Sequence, residues 1–320
     1  MQYSGTQRPH EDHALTDVPY SPPQLAKTNG IEICYDIFGA PDAEPLLLIM
    51  GLSAQMVLWD DEFCQLLASR GFRVIRFDNR DIGQSTRLTG GKRITPFDIL
   101  KLRMFGILPQ ATYKLSDMAR DTIGLMDTLG IRSAHIVGAS MGGMIAQTIA
   151  IEHPERIRSL TSIMSSTGNL KLPQPKREAM ALLMRPPPKT RDEYVTNFGQ
   201  TWKILRQGSF PADEAKDRDR AERCYARGLN PAGVGRQLRA VLASGARNRA
   251  LAGVTTPTLV IHGTVDPLVP PAAGKDTASA IPGAKLLMVE NMGHAIPIPM
   301  WPQVIGAIAD HARAAEKEAA

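Results

Sequence analysis

The stretch that decides the fold is Ala134-His135-Ile136-Val137-Gly138-Ala139-Ser140-Met141-Gly142-Gly143. An apolar run ends at a glycine. A serine stands alone at the apex, and Met144-Ile145-Ala146-Gln147 begins a second apolar pattern. That order predicts a strand, a sharp turn and a helix. Small residues at Gly138 and Gly142 let the backbone fold tightly and push the Ser140 side chain outward. A serine hydroxyl is a poor nucleophile unless a base takes its proton and donors stabilise the oxyanion it forms. The helix that follows aims its positive dipole end and its free N–H groups at the serine.

Two further apolar runs end in residues that could supply the rest. Thr258-Leu259-Val260-Ile261-His262-Gly263 leads into Thr264-Val265-Asp266-Pro267. Lys285-Leu286-Leu287-Met288-Val289-Glu290 leads into Asn291-Met292-Gly293-His294. A serine, an aspartate and a histidine thus each lie just past a predicted strand. Strand ends along one edge of a parallel sheet converge, so residues far apart in sequence can meet there.

Working outward, Ile31 to Tyr35, Leu46 to Met50, Arg73 to Phe77 and Leu160 to Met164 read as strands. Trp59, Phe63, Leu66 and Leu67 form one helix face that stops at Gly71. Met118, Thr122, Leu125, Met126 and Leu129 form another, ended by Gly130. A last helix starts near Pro302. Alternating strands and helices predict an α/β fold with a mostly parallel central sheet flanked by helices. Residues 166–251 break the alternation. They hold Pro186-Pro187-Pro188 and helix-like patterns but no convincing strand. This segment is expected to be a helical lid inserted before the last two strands. The expected core is residues 26–165 and 252–315, and residues 1–25 are expected to be a loose N-terminal arm. Tyr194, Phe198 and Trp202 recur at i, i+4 and i+8 in the lid. Such a stripe either packs the lid onto the core or lines a substrate pocket; Leu182, Leu183 and Met184 allow the same two readings.

Bulk properties narrow the function classes. The chain has 320 residues, 43% hydrophobic and 22% charged, as in a globular protein with a substantial core. No apolar run reaches the length of a membrane span. The start of the chain lacks the apolar segment of a secretory signal. Three scattered cysteines favour a reducing compartment, hence the cytoplasm. Net charge is +5, yet residues 171–250 carry 17 Lys+Arg against 8 Asp+Glu. Acidic residues interleave this basic block (Asp213, Glu214, Asp217, Asp219, Glu222), so it is expected to be a solvated helical face rather than a nucleic-acid site. His10-Glu11-Asp12-His13 lacks the His-Glu-x-x-His spacing of a metal site. Neither a phosphate loop nor a dinucleotide fingerprint is present, so no cofactor and no metal is expected.

These residues resemble the α/β-hydrolase superfamily over about residues 30–311. The matching pieces are Met50-Gly51-Leu52-Ser53, Phe77-Asp78-Asn79-Arg80-Asp81-Ile82-Gly83-Gln84-Ser85, the Ser140 turn, His262-Gly263-Thr264-Val265-Asp266-Pro267 and Gly293-His294. The chain order Ser…Asp…His is that of the family's nucleophile elbow. The Asp-Asn-Arg-Asp-Ile-Gly turn, Trp202-Lys203-Ile204-Leu205 and Met292-Gly293-His294-Ala295 are similar to the aclacinomycin methylesterase group. Many relatives carry His-Gly where this chain has Met50-Gly51, and the Gly-Gly-Gly run of some lipases is absent.

The resemblance implies a cofactor-free serine hydrolase of carboxylic esters, and the Phe, Trp, Leu and Met of the lid favour a small-molecule ester with an apolar acyl or polycyclic part. Ser140 would be the nucleophile, His294 the general base and then acid, and Asp266 its orienting partner. The backbone N–H groups of Leu52 and Met141 would form the oxyanion hole, with Trp202, Phe198 and Met184 as pocket candidates. Glu290 is the nearest rival to Asp266. Asp78, Arg80 and Asp81 read as a tight polar turn. The same triad could instead open lactones, cleave carbon–carbon bonds or form peracids, or hold a ligand with little turnover. Epoxide hydrolase or dehalogenase chemistry needs a carboxylate where Ser140 stands.

Overall fold

Every apolar run above becomes a strand of one eight-stranded sheet. The computed structural model describes residues 17–91, 94–183, 185–207 and 210–319. The strands are β1 (Tyr20–Thr28), β2 (Ile31–Phe38), β3 (Glu44–Ile49), β4 (Phe72–Phe77), β5 (Ala134–Ala139), β6 (Ile157–Ile163), β7 (Thr258–Gly263) and β8 (Lys285–Val289). Their spatial order is β1-β2-β4-β3-β5-β6-β7-β8. The β1–β2 and β2–β4 pairs are antiparallel, and all others are parallel. Parallel strands need helices on both faces, which is why residues 46–49 of β3 and 136–139 of β5 are apolar without alternation.

Alternation survives as a division of labour. Leu46 and Leu48 of β3 join Phe63 and Leu67 of α1 (Asp61–Ala68) and Val304 and Ile308 of α11 (Trp301–Ala319) on one face. Leu47 and Ile49 join Leu125 and Met126 of α3 (Leu115–Thr128) and Ile145 and Ile149 of α4 (Met141–Glu152) on the other. All four β3 side chains are fully buried. At about 1.5–3 kcal/mol for each buried aliphatic side chain, this two-faced layer is the main apolar contribution to the core.

Helix α2 (Pro96–Phe105) follows β4, and α10 (Pro271–Ala280) links β7 to β8. Between β6 and β7 run α5 (Arg177–Leu183), α6 (Arg191–Arg206), α7 (Glu214–Ala226), α8 (Pro231–Ser244) and α9 (Asn248–Leu251), with no strand among the described residues there. The order reverses on either side of β3. The chain passes from β3 to β4 on one side and later lays β5 on the other, so the carboxyl ends of β3 and β5 flank a crevice.

Three expectations are corrected here. Residues 20–25 do not belong to a loose arm; they lie in β1. Pro22 and Pro23 obscured that strand in the sequence. They sit where the β1–β2 register shifts, between Ser21 and Gln24, on an edge strand where a missing N–H is tolerated. Asn29 and Gly30 join β1 to β2, both with positive φ (47° and 76°), a hairpin signal that marks the strand. Second, α11 runs to Ala319, past the expected limit at 315, as an uninterrupted Ala-rich helix.

Third, the basic block is not simply a solvated face. Arg206, Arg220, Arg236, Arg239 and Arg247 are all buried, as is Asp217. Paired charges from distant segments bury one another, and no local pattern signals it. Arg227 pairs with Asp78, Arg236 with Asp81 (2.7 Å) and Arg220 with Asp60. Asp78 and Asp81 belong to the turn after β4, whose Arg80 pairs with Asp121 of α3 at 2.6 Å. The turn is thus a buried ionic seam between the sheet and the helices between β6 and β7.

Candidate active site

Ser140 sits between β5 and α4 with φ 56° and ψ −119°. A non-glycine residue there costs about 1–3 kcal/mol and persists only when its surroundings over-determine it. Its N–H donates to Ile163 O at 2.9 Å, and its carbonyl accepts from Ser165 Oγ at 2.7 Å and Gly143 N at 3.0 Å. Neighbouring glycines allow the close approach. A Cβ on Gly142 would stand 2.1 Å from Ile49 O, and one on Gly138 would stand 2.2 Å from Gly142 O.

His294 Nε2 lies 3.0 Å from Ser140 Oγ, and His294 Nδ1 lies 2.7 Å from Asp266 Oδ2. A carboxylate only accepts, so Nδ1 carries the proton and Nε2 presents its lone pair to the serine hydroxyl. Asp266 Oδ1 accepts the backbone N–H of Leu268 (2.9 Å) and Val269 (2.8 Å), which fixes the carboxylate plane. Asp266 and His294 are both buried. The three residues therefore form one continuous hydrogen-bond chain at the carboxyl ends of β5, β7 and β8. Glu290, the rival acid, instead accepts from Thr264 Oγ1 at 3.2 Å on the exposed side.

The loop after β3 closes against the serine. A Cβ on Gly51 would lie 3.1 Å from Ser140 Cβ and 3.5 Å from its Oγ. The loop is pinned on either side of Leu52. Met50 O accepts from Asn79 Nδ2 at 2.9 Å, and Ser53 N donates to Gln237 Oε1 at 3.1 Å. Met141 is the first residue of α4, where an N–H has no intrahelical acceptor. Leu52 thus follows a glycine that lies against Ser140, and Met141 follows Ser140 itself.

Sequence reasoning missed three contributors. Gln237 of α8, fully buried, bridges Ser53 N and Arg80 O (2.9 Å). His262, fully buried on β7, meets Val269 O through Nε2 at 2.8 Å and stands 3.6 Å from Asp266 Oδ2. Burial pushes its pKa down, so it stays neutral beside the aspartate. The third is the end of α6. Leu205 O accepts the His294 backbone N–H at 2.7 Å, and a Cβ on Gly293 would stand 2.1 Å from Arg206 O. Arg206 is held by Asp217 at 2.6 Å, Asp217 by Arg220 at 3.0 Å, and Arg220 by Asp60 at 2.9 Å. A buried chain of charges thus anchors the segment that carries the histidine. A glycine before the histidine was the one local hint.

Among the pocket candidates, Phe198 and Trp202 are half-buried on α6, with ring centroids 5.7 Å apart. Trp202 also faces the Arg220 guanidinium at 6.0 Å. Met184 lies outside the described residues, as does His10-Glu11-Asp12-His13. The other described histidines have structural partners: His135 meets Ser159 Oγ at 2.8 Å and His311 meets Pro257 O at 3.2 Å, while His153 follows α4.

Comparison with known proteins gives the same architecture. The chain is 30% identical to a rhodomycin D methylesterase of Streptomyces sp. (strain C5) and 29% identical to one of Streptomyces peucetius, over 92% of this chain and 99% of each relative. A solved meta-cleavage product hydrolase from Pseudomonas fluorescens IP01 superposes with a TM-score of 0.71 at 20% identity, covering 91% of this chain and 98% of that one. The model of the alpha/beta hydrolase fold matches residues 44–299. With that match spanning most of the sheet and the whole crevice, the chain belongs to the α/β hydrolase family.

Proposed function

We propose that this protein is a serine hydrolase that cleaves carboxylic esters through an acyl-enzyme. The observation that carries the reading is the unbroken chain from Ser140 Oγ through His294 to Asp266, at 3.0 and 2.7 Å. In the first step His294 Nε2 takes the hydroxyl proton as Ser140 Oγ attacks the ester carbonyl. Asp266 steadies the imidazolium that results. The tetrahedral oxyanion is held by the N–H groups of Leu52 and Met141, each worth about 3–4 kcal/mol in the transition state. His294 then gives its proton to the departing alcohol. Water, activated by the same histidine, attacks the acyl-enzyme and releases the acid.

Similarity to the rhodomycin D methylesterases supports a methyl ester as substrate. Phe198 and Trp202, half-buried on the helix whose end meets His294, support an apolar substrate and a pocket roofed by residues 166–251, which we take as a lid. Such a mechanism needs no cofactor. Three buried free thiols, Cys34, Cys64 and Cys224, suit a reducing compartment such as the cytoplasm. No helix among the described residues is long and apolar enough to cross a membrane.

Fluorophosphonate labelling and steady-state turnover of wild type and Ser140→Ala on methyl esters, nitrophenyl esters, lactones and carbon–carbon bond substrates test the proposal. Expected are labelling and ester turnover in wild type and a loss of roughly 10⁴-fold or more in the variant. Persistent labelling of Ser140→Ala would contradict the nucleophile. Turnover confined to a non-ester substrate would contradict the reaction class.

A further inference from the structure

Helix α2 presents apolar side chains on opposite sides. Leu102 faces inward and is buried. Phe97, Leu100, Met104 and Phe105 are 49–69% exposed, and Ile107 and Leu108 just beyond the helix are 52% and 45% exposed. Scattered exposed apolar residues need no explanation, but six within twelve positions form a patch of the kind that marks an interaction surface.

The helix is not held open by accident. Pro96 opens it, Thr95 and Asp98 cap it reciprocally, and Gly106 closes it in the left-handed conformation with φ 64°. Its inward side is fastened to α8, where Arg239 Nη1 meets Asp98 Oδ2 at 3.4 Å. The helix therefore keeps its shape, and its outward side has no partner among the described residues.

Charge identifies the partner. Residues 91–114 carry Lys92, Arg93, Lys101, Arg103 and Lys114 against Asp98 alone. Asp98 is already engaged by Thr95 and Arg239. Lys101 Nζ lies over the Phe97 ring at 4.4 Å, and Arg103 is exposed at the end of the helix. Aromatic and long aliphatic side chains beside Lys101 and Arg103 are the chemistry of an interfacial helix on an anionic bilayer. A second copy of the chain fits less well, because a two-fold contact would set this cationic segment against itself.

We propose that α2 and the residues after it dock the protein on an anionic lipid surface, with Phe97, Met104 and Phe105 entering the headgroup region and Lys101 and Arg103 facing lipid phosphates. This docking is peripheral and independent of catalysis, so it stands or falls apart from the nucleophile assignment.

The test is co-sedimentation of the full chain with vesicles of phosphatidylcholine alone or mixed with phosphatidylglycerol, at low and high salt. Wild type and Ser140→Ala are expected to bind the anionic vesicles equally. The double variant Phe97→Ser/Phe105→Ser is expected to lose at least tenfold in affinity. Lys101→Gln and Arg103→Gln are expected to lose about fivefold each, with the remaining binding less sensitive to salt. Thermal melting of each variant checks that it remains folded. Absence of binding by wild type, or equal binding by folded wild type and the Phe97/Phe105 variant, would overturn the proposal. So would a concentration-dependent dimer, seen by sedimentation velocity and abolished by that variant, in a protein that ignores vesicles.

Discussion

The sheet and the helices between β6 and β7 are held together by different physics. The sheet is dry. Leu46, Leu47, Leu48 and Ile49 pack against helices on both faces without a charge between them. The helices above it are fastened by arginine. Arg206, Arg220 and Arg236 reach Asp217, Asp60 and Asp81, and all six are buried. Apolar packing tolerates small losses because neighbours relax into the space. A buried ion pair does not, since removing one partner strands the other charge in a medium that cannot solvate it. The lesson is that the Ser140 turn rests on the robust part of the molecule, while His294 hangs partly on the brittle one through Leu205.

The sharpest way to break that contrast is Asp217→Ala. It strands Arg206, takes from Arg220 one of its two carboxylate partners, and is expected to cost about 3–5 kcal/mol in urea unfolding. It should also lower kcat, because the strand of backbone that accepts the His294 amide loses its anchor. Replacing Asp217 and Arg206 together with apolar residues of similar size, with Arg220 left on Asp60, should recover much of the stability. Leu48→Ala is expected to cost a comparable or slightly smaller amount, about 2–5 kcal/mol, yet leave kcat per folded molecule unchanged. If both variants changed kcat alike, the distinction between the two regions would fail.

A smaller effect is expected at Gln237. Gln237→Leu keeps the volume but leaves Ser53 N and Arg80 O without their partner, a loss of about 1–3 kcal/mol. Because the loop it holds carries Leu52, kcat should fall by tenfold or more with KM little changed. A rise in KM alone would show that the bridge serves binding instead.

The smallest effect concerns pH. Burial holds His135 and His262 below the ordinary histidine value of 6.5. Unfolding releases them to bind protons more readily, so stability is full above pH 6.5 and is lost as pH falls from there toward their folded values. Urea midpoints measured on either side of pH 6.5 should follow this direction, and the pH slope should weaken in His262→Gln. A midpoint that rose on acidification would reverse the sign.

What the sequence made legible follows the same divide. Strands β3, β5 and β7 announce themselves as apolar runs, and each ends at a residue that folds the chain sharply. Ser140, Asp266 and His294 could be named because local pattern and chain order sufficed. Strand β1 was hidden by Pro22 and Pro23. Helix α2 was hidden because apolar residues on opposite sides erase the helical period. The buried arginines, Gln237 and the Leu205–His294 contact were illegible for a deeper reason. Most are defined by a partner tens to well over a hundred residues away, and a charge in a sequence reads as solvated until that partner is known.

The most direct test of the central claim is a rapid-mixing experiment with a nitrophenyl ester, quenched in acid and analysed by peptide mass spectrometry. The expected result is a burst of nitrophenol equal to the enzyme concentration, with the acyl mass on the peptide containing Ser140. A linear release with no burst and no adduct under conditions where Ser140→Ala turns over as fast as wild type would contradict it.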